Sequence, residues 1–373
     1  MEKSAKARVA LVGVGGIGGA AHLPAIQSLD QQCELTAIVD VNQERLTQAG
    51  EDTGCSNLFE SYEEMLQTER PDIVVLGTPP FIHEEQAIAG MEAGAWVYCE
   101  KPLTGSLHSA DRIHEAEIRT GNWCVSVSQF RYAGGSQQIK SDLLAGRWGK
   151  PLIGTARTMW YRGAEYWDVP WRGKFDTEFA GANTTQAYHA VDLILWLMGE
   201  DWDTVSGLSE TLARPIEVED TAAAIIKFRS GAVATLLSTV LSHDPRTTVQ
   251  VIAENATINL DTLYLPLLEE WSVHAVSADG NPAPVSDWAK EESEMTVNAH
   301  RAQLSALLDR WVERKKPELT VADARPTLEF LTALYKSAYE SRPISRGEIG
   351  PGDIFYDAID AGGIAERDNH SND

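Results

Sequence analysis

The sequence predicts an α/β protein with a doubly wound parallel sheet in its first third and a second α/β domain built on a mostly antiparallel sheet. Three observations predict it. Up to about residue 130, short apolar β-like runs alternate with helical patterns, the order that builds a parallel sheet. Beyond that point come longer runs rich in Thr, Val and aromatic residues, without intervening helices. The length of 373 residues, at about 150 per domain, gives two or three domains. The boundary is placed at 130, with domains over 1–130 and 131–373.

The elements follow in order. Residues 8–12 form the first strand and 17–29 a helix. Residues 34–39 form the second strand. Ser61 with Glu64 is a capping box for a helix through Leu66. Residues 73–76 lack polar alternation, as expected of a strand buried on both faces. Pro79 and Pro80 break the chain before a helix over 82–93. A strand over 95–99, a helix over 106–120 and a strand over 124–128 complete the first domain. In the second, residues 136–145 are helical, and strands are expected over 153–161, 205–212, 221–228, 232–241 and 247–252. Ser230-Gly231 makes a hairpin turn between two of them. Late helices cover 300–314 and 321–339, residues 281–284 read as a surface loop, and the polar tail 366–373 as frayed.

Composition narrows the function classes. Hydrophobic residues at 43% and charged residues at 23% suit a globular protein. Lys plus Arg is 31 and Asp plus Glu 55, a net charge of −24 that repels nucleic acid and anionic membrane. A small basic pocket inside that envelope can still bind an anion. Cys33, Cys55, Cys99 and Cys124 form no C-x-x-C pair, so reduced, buried thiols are expected and no metal site is. The polar residues 1–8 lead into too few apolar ones for a signal-peptide core, and no apolar run approaches a membrane span. The expectation is a soluble cytoplasmic protein.

Gly13-Val14-Gly15-Gly16-Ile17-Gly18 is a G-x-G-x-x-G loop between a strand and a helix, and Asp40 ends the next strand. Gly13 permits the tight turn, Gly15 lets the backbone approach a pyrophosphate, and Gly18 allows close helix–strand packing. The helix start, with Gly16 and Ile17, presents free N–H groups to phosphate. Asp40 can accept from the adenosine ribose diol and would repel a 2′-phosphate, which favours NAD(H) over NADP(H). The competing reading is a glycine-rich turn with no ligand.

Glu100-Lys101-Pro102, following a strand that ends at Cys99, resembles the Gfo/Idh/MocA oxidoreductase family. His22-Leu23-Pro24, the Thr78-Pro79 to His83 segment, Trp171-Arg172-Gly173, the run from His189 to Leu193 and the run from Ala324 to Glu329 agree with it. The resemblance spans nearly the whole chain. It implies an N-terminal Rossmann domain, a C-terminal domain with an open, mostly antiparallel sheet, and an active site between them. It also implies homodimers or homotetramers formed through that sheet. The usual reaction is reversible oxidation of a secondary hydroxyl on a sugar, sugar derivative or cyclic polyol, and a small neutral substrate is expected. Thr78, Pro79, His83, Glu100, Lys101, Gln129, Trp171 and Arg172 are implied on the cofactor side.

Oxidising a carbinol sends a hydride to nicotinamide C4 and a proton to a base with a pKa near the working pH. Lys101 is the first candidate for that base, against the reading of an ordinary surface lysine. Glu100 either meets the cofactor ribose or anchors the loop, and Pro102 fixes the loop. His189 is the second candidate. Thr185, His189, Asp192 and Trp196 fall near one helix face, so Asp192 can orient His189, against the reading of a helix-surface His–Asp pair. Many family members carry Asp four residues before this His, where this chain has Thr185. Thr is no general base, so Lys101 and His189 carry the proton alone or the substrate departs from the inositol type. Tyr188 is an alternative proton donor, and Tyr188, Thr185 and Asp192 are expected on the substrate side with Tyr161 and Arg162. Trp160, Tyr161, Tyr166, Trp167 and Trp171 suit the C–H faces of a sugar ring, and Arg162 or Arg172 its hydroxyls or a carboxylate. Core or dimer-interface packing explains the aromatics equally well. His300 is a further candidate for the cleft or a helix cap. Two other functions stay open: an NAD-dependent glycosidase or glycoside-oxidising enzyme, and a non-enzymatic NAD-responsive regulator.

Overall fold

The computed structural model describes residues 6–263, 270–277, 281–283 and 298–370. The chain divides into two compact units. The first holds Met1–Thr104, Ser109–Gln129 and Asn298–Arg325, and the second Gly105–His108, Phe130–Val297 and Pro326–Asp373. This is not a single cut at residue 130. The late segment joins the first unit because its helix packs on the first helix of the chain and Thr320 bridges to Val125.

Six strands build the first unit: β1 (Ala7–Val12), β2 (Cys33–Val39), β3 (Leu58–Phe59), β4 (Ile73–Leu76), β5 (Trp96–Cys99) and β6 (Cys124–Ser126). All pairs are parallel and the order is β3-β2-β1-β4-β5-β6. The order reverses between β1 and β4, the switch point at whose carboxyl edge such sheets bind ligands. Every residue of β4 and β5 is buried, which is why both read as unbroken apolar runs.

Helices α1 (Leu23–Ser28), α2 (Gln43–Thr53), α3 (Tyr62–Glu69), α4 (His83–Glu92) and α5 (Leu107–Thr120) connect these strands. The helix expected over 17–29 has two geometries. Gly18–His22 is a π turn, in which the Leu23 N–H reaches back to the Gly18 carbonyl, and α1 follows. Pro24 has no N–H to give, and the ladder widens just before it. The Ser61 side chain accepts from the Glu64 N–H as expected, a cap worth about 1 kcal/mol. Neither α2 nor β3 is evident from the sequence pattern. Asn42 caps α2 by accepting from the Arg45 N–H, and only Leu46, Ala49 and Gly50 of it are buried, too faint an apolar stripe to stand out.

The second unit holds β7 (Pro151–Tyr161), β8 (Trp202–Glu210), β9 (Thr221–Phe228), β10 (Val233–Thr239), β11 (Leu241–Ala253), β12 (Ala256–Leu260), β13 (Trp271–Val276), β14 (Pro282–Ala283) and β15 (Ile344–Ser345). They form one sheet in the order β14-β13-β12-β11-β7-β10-β9-β8-β15, antiparallel except for β7 with β10. The turn between β9 and β10 falls at Gly231, with φ +93°, as expected. Strands β12 to β15 were not expected. The segment read as a surface loop contributes β14, paired to β13, while Pro284 lies outside the described residues.

Helices α6 (Gly134–Leu144), α7 (Ala164–Trp167), α8 (Ala182–Thr185) and α9 (Tyr188–Met198) follow, then α10 (Ala299–Glu313), α11 (Val321–Glu340), α12 (Ile354–Asp357) and α13 (Ala361–His370). The tail expected to fray from 366 is helical to His370; 371–373 lie outside the described residues. Helix α9 packs on β7 and β11, and α8 on β9 and β10. The opposite face of the sheet shows Ile153, Leu208, Ile225 and Val233 to solvent. All four cysteines are free thiols, but Cys55 is only half-buried, unlike the other three. Among the described residues no helix is long and apolar enough to cross a membrane.

Candidate active site

The glycine loop leaves β1 in a conformation that only glycine tolerates at two points. Gly13 has φ +84°, and a Cβ on Gly18 would lie 1.8 Å from the Gly13 carbonyl oxygen. The loop is thus folded onto itself so that helical bonding begins at once, with Gly19 N–H donating to Gly15 O at 2.9 Å. Its tip is open: a Cβ on Gly16 would meet nothing within 4 Å, and one on Gly15 only the Arg45 guanidinium at 3.4 Å. Ile17 beside it is 42% exposed, so the tip has room for a phosphate group to approach. Asp40 is buried and accepts from the Val14 N–H through Oδ2 and the Asn42 N–H through Oδ1, each at 2.8 Å. Each oxygen has a second lone pair for a ribose hydroxyl. These residues fit a dinucleotide.

Two segments carry the remaining cofactor-side residues of this unit. The Thr78 hydroxyl donates to Gln86 Oε1 at 2.7 Å, and Pro79 leads into the short 3₁₀ turn Pro80–Ile82. His83 is fully buried, with Nε2 at 2.9 Å from the Thr78 carbonyl and Nδ1 at 3.0 Å from the Pro102 carbonyl. Both ring nitrogens are engaged, so His83 does not contact a cofactor as expected; it ties the Thr78 segment to the Lys101-Pro102 turn. Burial pushes its pKa down, while the carbonyls of Thr78 and Pro102 pull it back up. Gln129 is buried at the end of this unit, in the 3₁₀ turn Gln129–Tyr132.

Glu100 anchors the loop that bears Lys101. Its Oε1 lies 2.8 Å from His22 Nε2 and its Oε2 accepts from the Lys101 N–H at 3.0 Å. His300 Nε2 lies 3.8 Å from Oε1, and its ring meets that of His22 edge-on at 5.2 Å. Burial would raise the Glu100 carboxyl, but the His22 hydrogen bond and the charges of His22, His300 and Lys101 hold it well below the carboxylate range. Burial pushes His300 down to about 4, helped by His22 and Lys101. One ligand atom each from His22, Glu100 and His300 falls within 4.8 Å of the others, a spacing that metal ligands also show. The carboxylate here is already bonded to His22 and beside the Lys101 charge, which opposes a cation. The trio is a buried anchor, and of the two readings of Glu100 the geometry supports the anchor. Lys101 itself is half-buried, and its bond to Pro102 is cis.

In the second unit His189 sits in the first turn of α9, 5% exposed, with the Phe130 ring edge-on at 4.9 Å and Tyr188 at 5.9 Å. Tyr188 is buried as well. Asp192 does not orient His189. Its two oxygens accept from Arg131, Nε to Oδ2 at 2.7 Å and Nη2 to Oδ1 at 2.5 Å, and Oδ1 also accepts from the Thr327 hydroxyl at 3.1 Å. A bidentate guanidinium outcompetes an imidazole for a carboxylate. With both oxygens taken and 3% exposure, Asp192 is not a substrate ligand either.

Thr185 stands where many relatives carry Asp, yet a carboxylate lies next to it. The Thr185 hydroxyl donates to Glu178 Oε1 at 2.8 Å, and Glu178 Oε2 accepts from the Gly173 N–H at 2.5 Å. Glu178 is 1% exposed, with Arg172 Nη1 at 3.8 Å. Neither Glu178 nor Glu219 stands out in the sequence. Glu219 accepts from the Gly181 and Asn183 N–H groups and from the Tyr335 hydroxyl, which fixes the turn into α8. A Cβ on Gly181 would lie 1.9 Å from the Glu219 carbonyl oxygen. A lone buried acid leaves no periodic mark in a sequence; only the fold brings Glu219 to Gly181.

The expected aromatics gather around arginines in the second unit. Arg162 lies over Trp160 at 4.4 Å and over Tyr166 at 4.7 Å, and Arg172 over Tyr166 at 3.9 Å and Trp171 at 4.6 Å. Arg214 lies over Tyr161 at 4.9 Å, and the other partner of Tyr161 is the stacked His243 ring. Tyr166 also accepts from the Gln186 amide at 2.7 Å. Burial pushes the Arg172 guanidinium down, Glu178 pulls it up, and Arg162 pushes it down again.

Residues 7–129 match the model of the oxidoreductase family with the NAD-binding Rossmann fold, and 136–259 that of the GFO/IDH/MocA C-terminal domain. The chain belongs to the Gfo/Idh/MocA family. Within that family, inositol 2-dehydrogenase of Acidiphilium cryptum is 29% identical over 228 residues, 60% of this chain and 64% of that protein. Inositol 2-dehydrogenase of Renibacterium salmoninarum is 32% identical over 146 residues, 39% of this chain and 44% of that protein. The aligned stretches thus span less than two thirds of these relatives. Among solved structures, the WlbA dehydrogenase of Bordetella pertussis, in complex with NADH and UDP-GlcNAcA, superposes with a TM-score of 0.79 at 29% identity. That match covers 91% of this chain and 99% of WlbA.

Proposed function

We propose that this chain is an NAD(H)-linked dehydrogenase acting on a secondary hydroxyl, or the matching ketone, of a sugar, sugar derivative or cyclic polyol. The observation that carries the reading is the Lys101 turn, tied down by Glu100 on one side and His83 on the other, in the same unit as a glycine loop built for a dinucleotide. The names of the relatives support the substrate class: two inositol 2-dehydrogenases and a dehydrogenase holding a nucleotide sugar.

Gly13, Gly15, Gly16, Ile17 and Gly18 would hold the pyrophosphate, Asp40 the adenosine ribose, and Thr78, Pro79 and Gln129 the rest of the dinucleotide. The nicotinamide, when bound, gives or takes the hydride. Lys101 Nζ takes the hydroxyl proton in oxidation, and as ammonium it polarises the carbonyl in reduction. His189 is the second proton-handling or hydroxyl-binding group. Thr185, which donates to Glu178, and Tyr188, whose ring meets that of His189 edge-on, are proposed for the substrate together with Tyr161 and Arg162. The Asp40 carboxylate repels a 2′-phosphate, so NAD(H) is preferred to NADP(H). Homo-oligomers form through the open face of the nine-stranded sheet, where Ile153, Leu208, Ile225 and Val233 are exposed. Four free thiols suit a reducing, cytoplasmic setting.

The test follows absorbance at the NADH band, with NAD⁺ and NADP⁺, against inositols, monosaccharides, sugar acids and glycosides. Turnover with NAD⁺ is expected to exceed that with NADP⁺ by about tenfold or more. Lys101→Ala is expected to lower kcat/KM by about 100-fold or more, with NADH affinity within about twofold of the parent. Undiminished turnover in that variant overturns the assignment of Lys101, and equal use of both dinucleotides overturns the role of Asp40.

A further inference from the structure

A group that takes a proton from a carbinol works best with a pKa near the working pH. A carboxylate within about 4–6 Å stabilises a lysine's ammonium and raises the lysine out of that range. Glu100 threatens Lys101 in this way. It precedes Lys101 in the chain and is 4% exposed, and the Lys101 charge helps hold its carboxyl down, so the attraction is mutual. Yet both of its oxygens are engaged elsewhere. Oε1 meets His22 Nε2 at 2.8 Å, and Oε2 accepts the backbone N–H of Lys101, not its side chain, at 3.0 Å. Because its partner is a carboxylate, Nε2 of His22 carries the hydrogen. His22 is fully buried at the end of the π turn, with the Tyr98 and His300 rings edge-on at 5.5 and 5.2 Å. Its Nδ1 is buried with no hydrogen-bond partner among the described residues. A residue kept only for packing would be apolar, since a buried, half-satisfied ring costs stability. The other titratable groups around Glu100 do not replace His22. His300, at the start of α10, stands 3.8 Å from Oε1, beyond a hydrogen bond, and with its pKa pushed down to about 4 it is neutral where a lysine titrates. His83 of α4 is engaged by carbonyls at both nitrogens, and burial pushes the Cys99 thiol of β5 well above its ordinary value.

We propose that His22 is a positioning residue: by holding the Glu100 carboxylate it keeps that charge from pairing with the Lys101 ammonium, and so leaves Lys101 able to act as a base near neutral pH. This rests on the dehydrogenase reading above, which makes Lys101 the base. It gives the buried anchor a part in the proton transfer, exerted through Glu100 and without contact to the substrate.

NMR titration of the NADH-loaded protein, labelled with ¹³Cε-lysine, reads Lys101 directly; its signal is the one missing from Lys101→Arg. In His22→Leu, which offers Glu100 no N–H, the Lys101 pKa is expected to rise by about 1 or more. His22→Asn, which stays polar but stops short of Glu100, gives the same rise and serves where His22→Leu does not fold. In His22→Gln, whose amide N–H reaches the place of Nε2, the value stays within about 0.3 of the parent, and so it does in His300→Gln. Whatever else touches Lys101 is common to parent and variants and cancels in these differences. With a sugar or polyol that turns over, the acid limb of the kcat/KM profile for oxidation moves likewise. His22→Leu or His22→Asn loses about tenfold below both pKa values and regains the parent rate to within about twofold on the alkaline plateau, whereas a merely structural defect lowers both. No rise in either variant overturns the proposal. A fall does so too, since Glu100 would then have taken up a proton instead. An equal rise in His22→Gln also overturns it, because the N–H would not be what holds the carboxylate. The dehydrogenase reading fails separately, by absence of turnover with every sugar, and the NMR titration is read without it.

Discussion

Glu100 is a carboxylate that burial would neutralise, and the His22 hydrogen bond with the nearby Lys101 charge holds its pKa well below the usual range. His300, in the same cluster, is pushed the other way, from an ordinary 6.5 down to about 4, because burial, His22 and Lys101 all disfavour its protonation. The two groups make acid a threat in different ranges. An unfolded chain protonates His300 near its ordinary pKa and the folded chain only near 4, so between these values the unfolded state binds more protons. Stability from this residue is complete above about pH 6.5 and is lost as pH falls toward 4, about 2 kcal/mol of it by pH 5. The Glu100 share is lost only below the ordinary carboxylate range, since its folded pKa is depressed. His300→Gln, with no titrating ring, should lose about 2 kcal/mol less than the parent between pH 7.5 and pH 5. Urea unfolding at the two pH values measures this, and equal losses in both proteins would contradict the buried, neutral state of His300.

The glycine loop is the element in which local sequence and fold agree most closely. Its three motif glycines stand between a buried strand and a helix, and the structure gives steric reasons for two of them. Gly18→Ala puts a methyl group 1.8 Å from the Gly13 carbonyl oxygen, a backbone atom that cannot turn aside. The helix must move outward, at a cost of about 1–3 kcal/mol, and NADH affinity should fall tenfold or more. Gly16→Ala meets open space and should leave the unfolding midpoint almost unchanged. If the two variants unfold alike, the close approach of Gly13 and Gly18 is not what holds the loop. The buried parallel strands were equally legible, as apolar runs bounded by turns; residues 73–76 coincide with β4. What stayed hidden depends on distant partners. Helix α2 is polar on most of its surface, and β13 to β15 are defined by the strands they pair with. The i, i+3 spacing of His189 and Asp192 suggested a pair, but Arg131, 61 residues away along the chain, takes the carboxylate. Glu178 beside Thr185 was missed for a similar reason: no spacing rule links a loop acid to a hydroxyl seven residues on.

At the scale of the whole molecule, the charge of −24 and the open sheet face pull in opposite directions. Ile225 and Leu208 are each 63% exposed on neighbouring strands, and Val233 pairs with Ile153 on the same face. An apolar patch on regular strands is a surface that a second copy can cover. Bringing two copies together doubles the net charge within one particle, so long-range repulsion opposes what the patch favours. The Debye length falls from about 30 Å at 0.01 M salt to about 10 Å at 0.1 M, and repulsion between distant surface charges fades accordingly. Hydrophobic contact is not screened. Self-association should therefore tighten as salt rises over this range, opposite to an interface held by ion pairs. Sedimentation at micromolar concentration should show a dimer or larger species at 0.1 M salt and a shift toward monomer at 0.01 M. Ile225→Glu combined with Leu208→Glu places two carboxylates in the patch and should give monomer at both salt concentrations, with unchanged circular dichroism. A wild-type monomer at 0.1 M salt, or association that weakens with salt, would remove this sheet face as the interface.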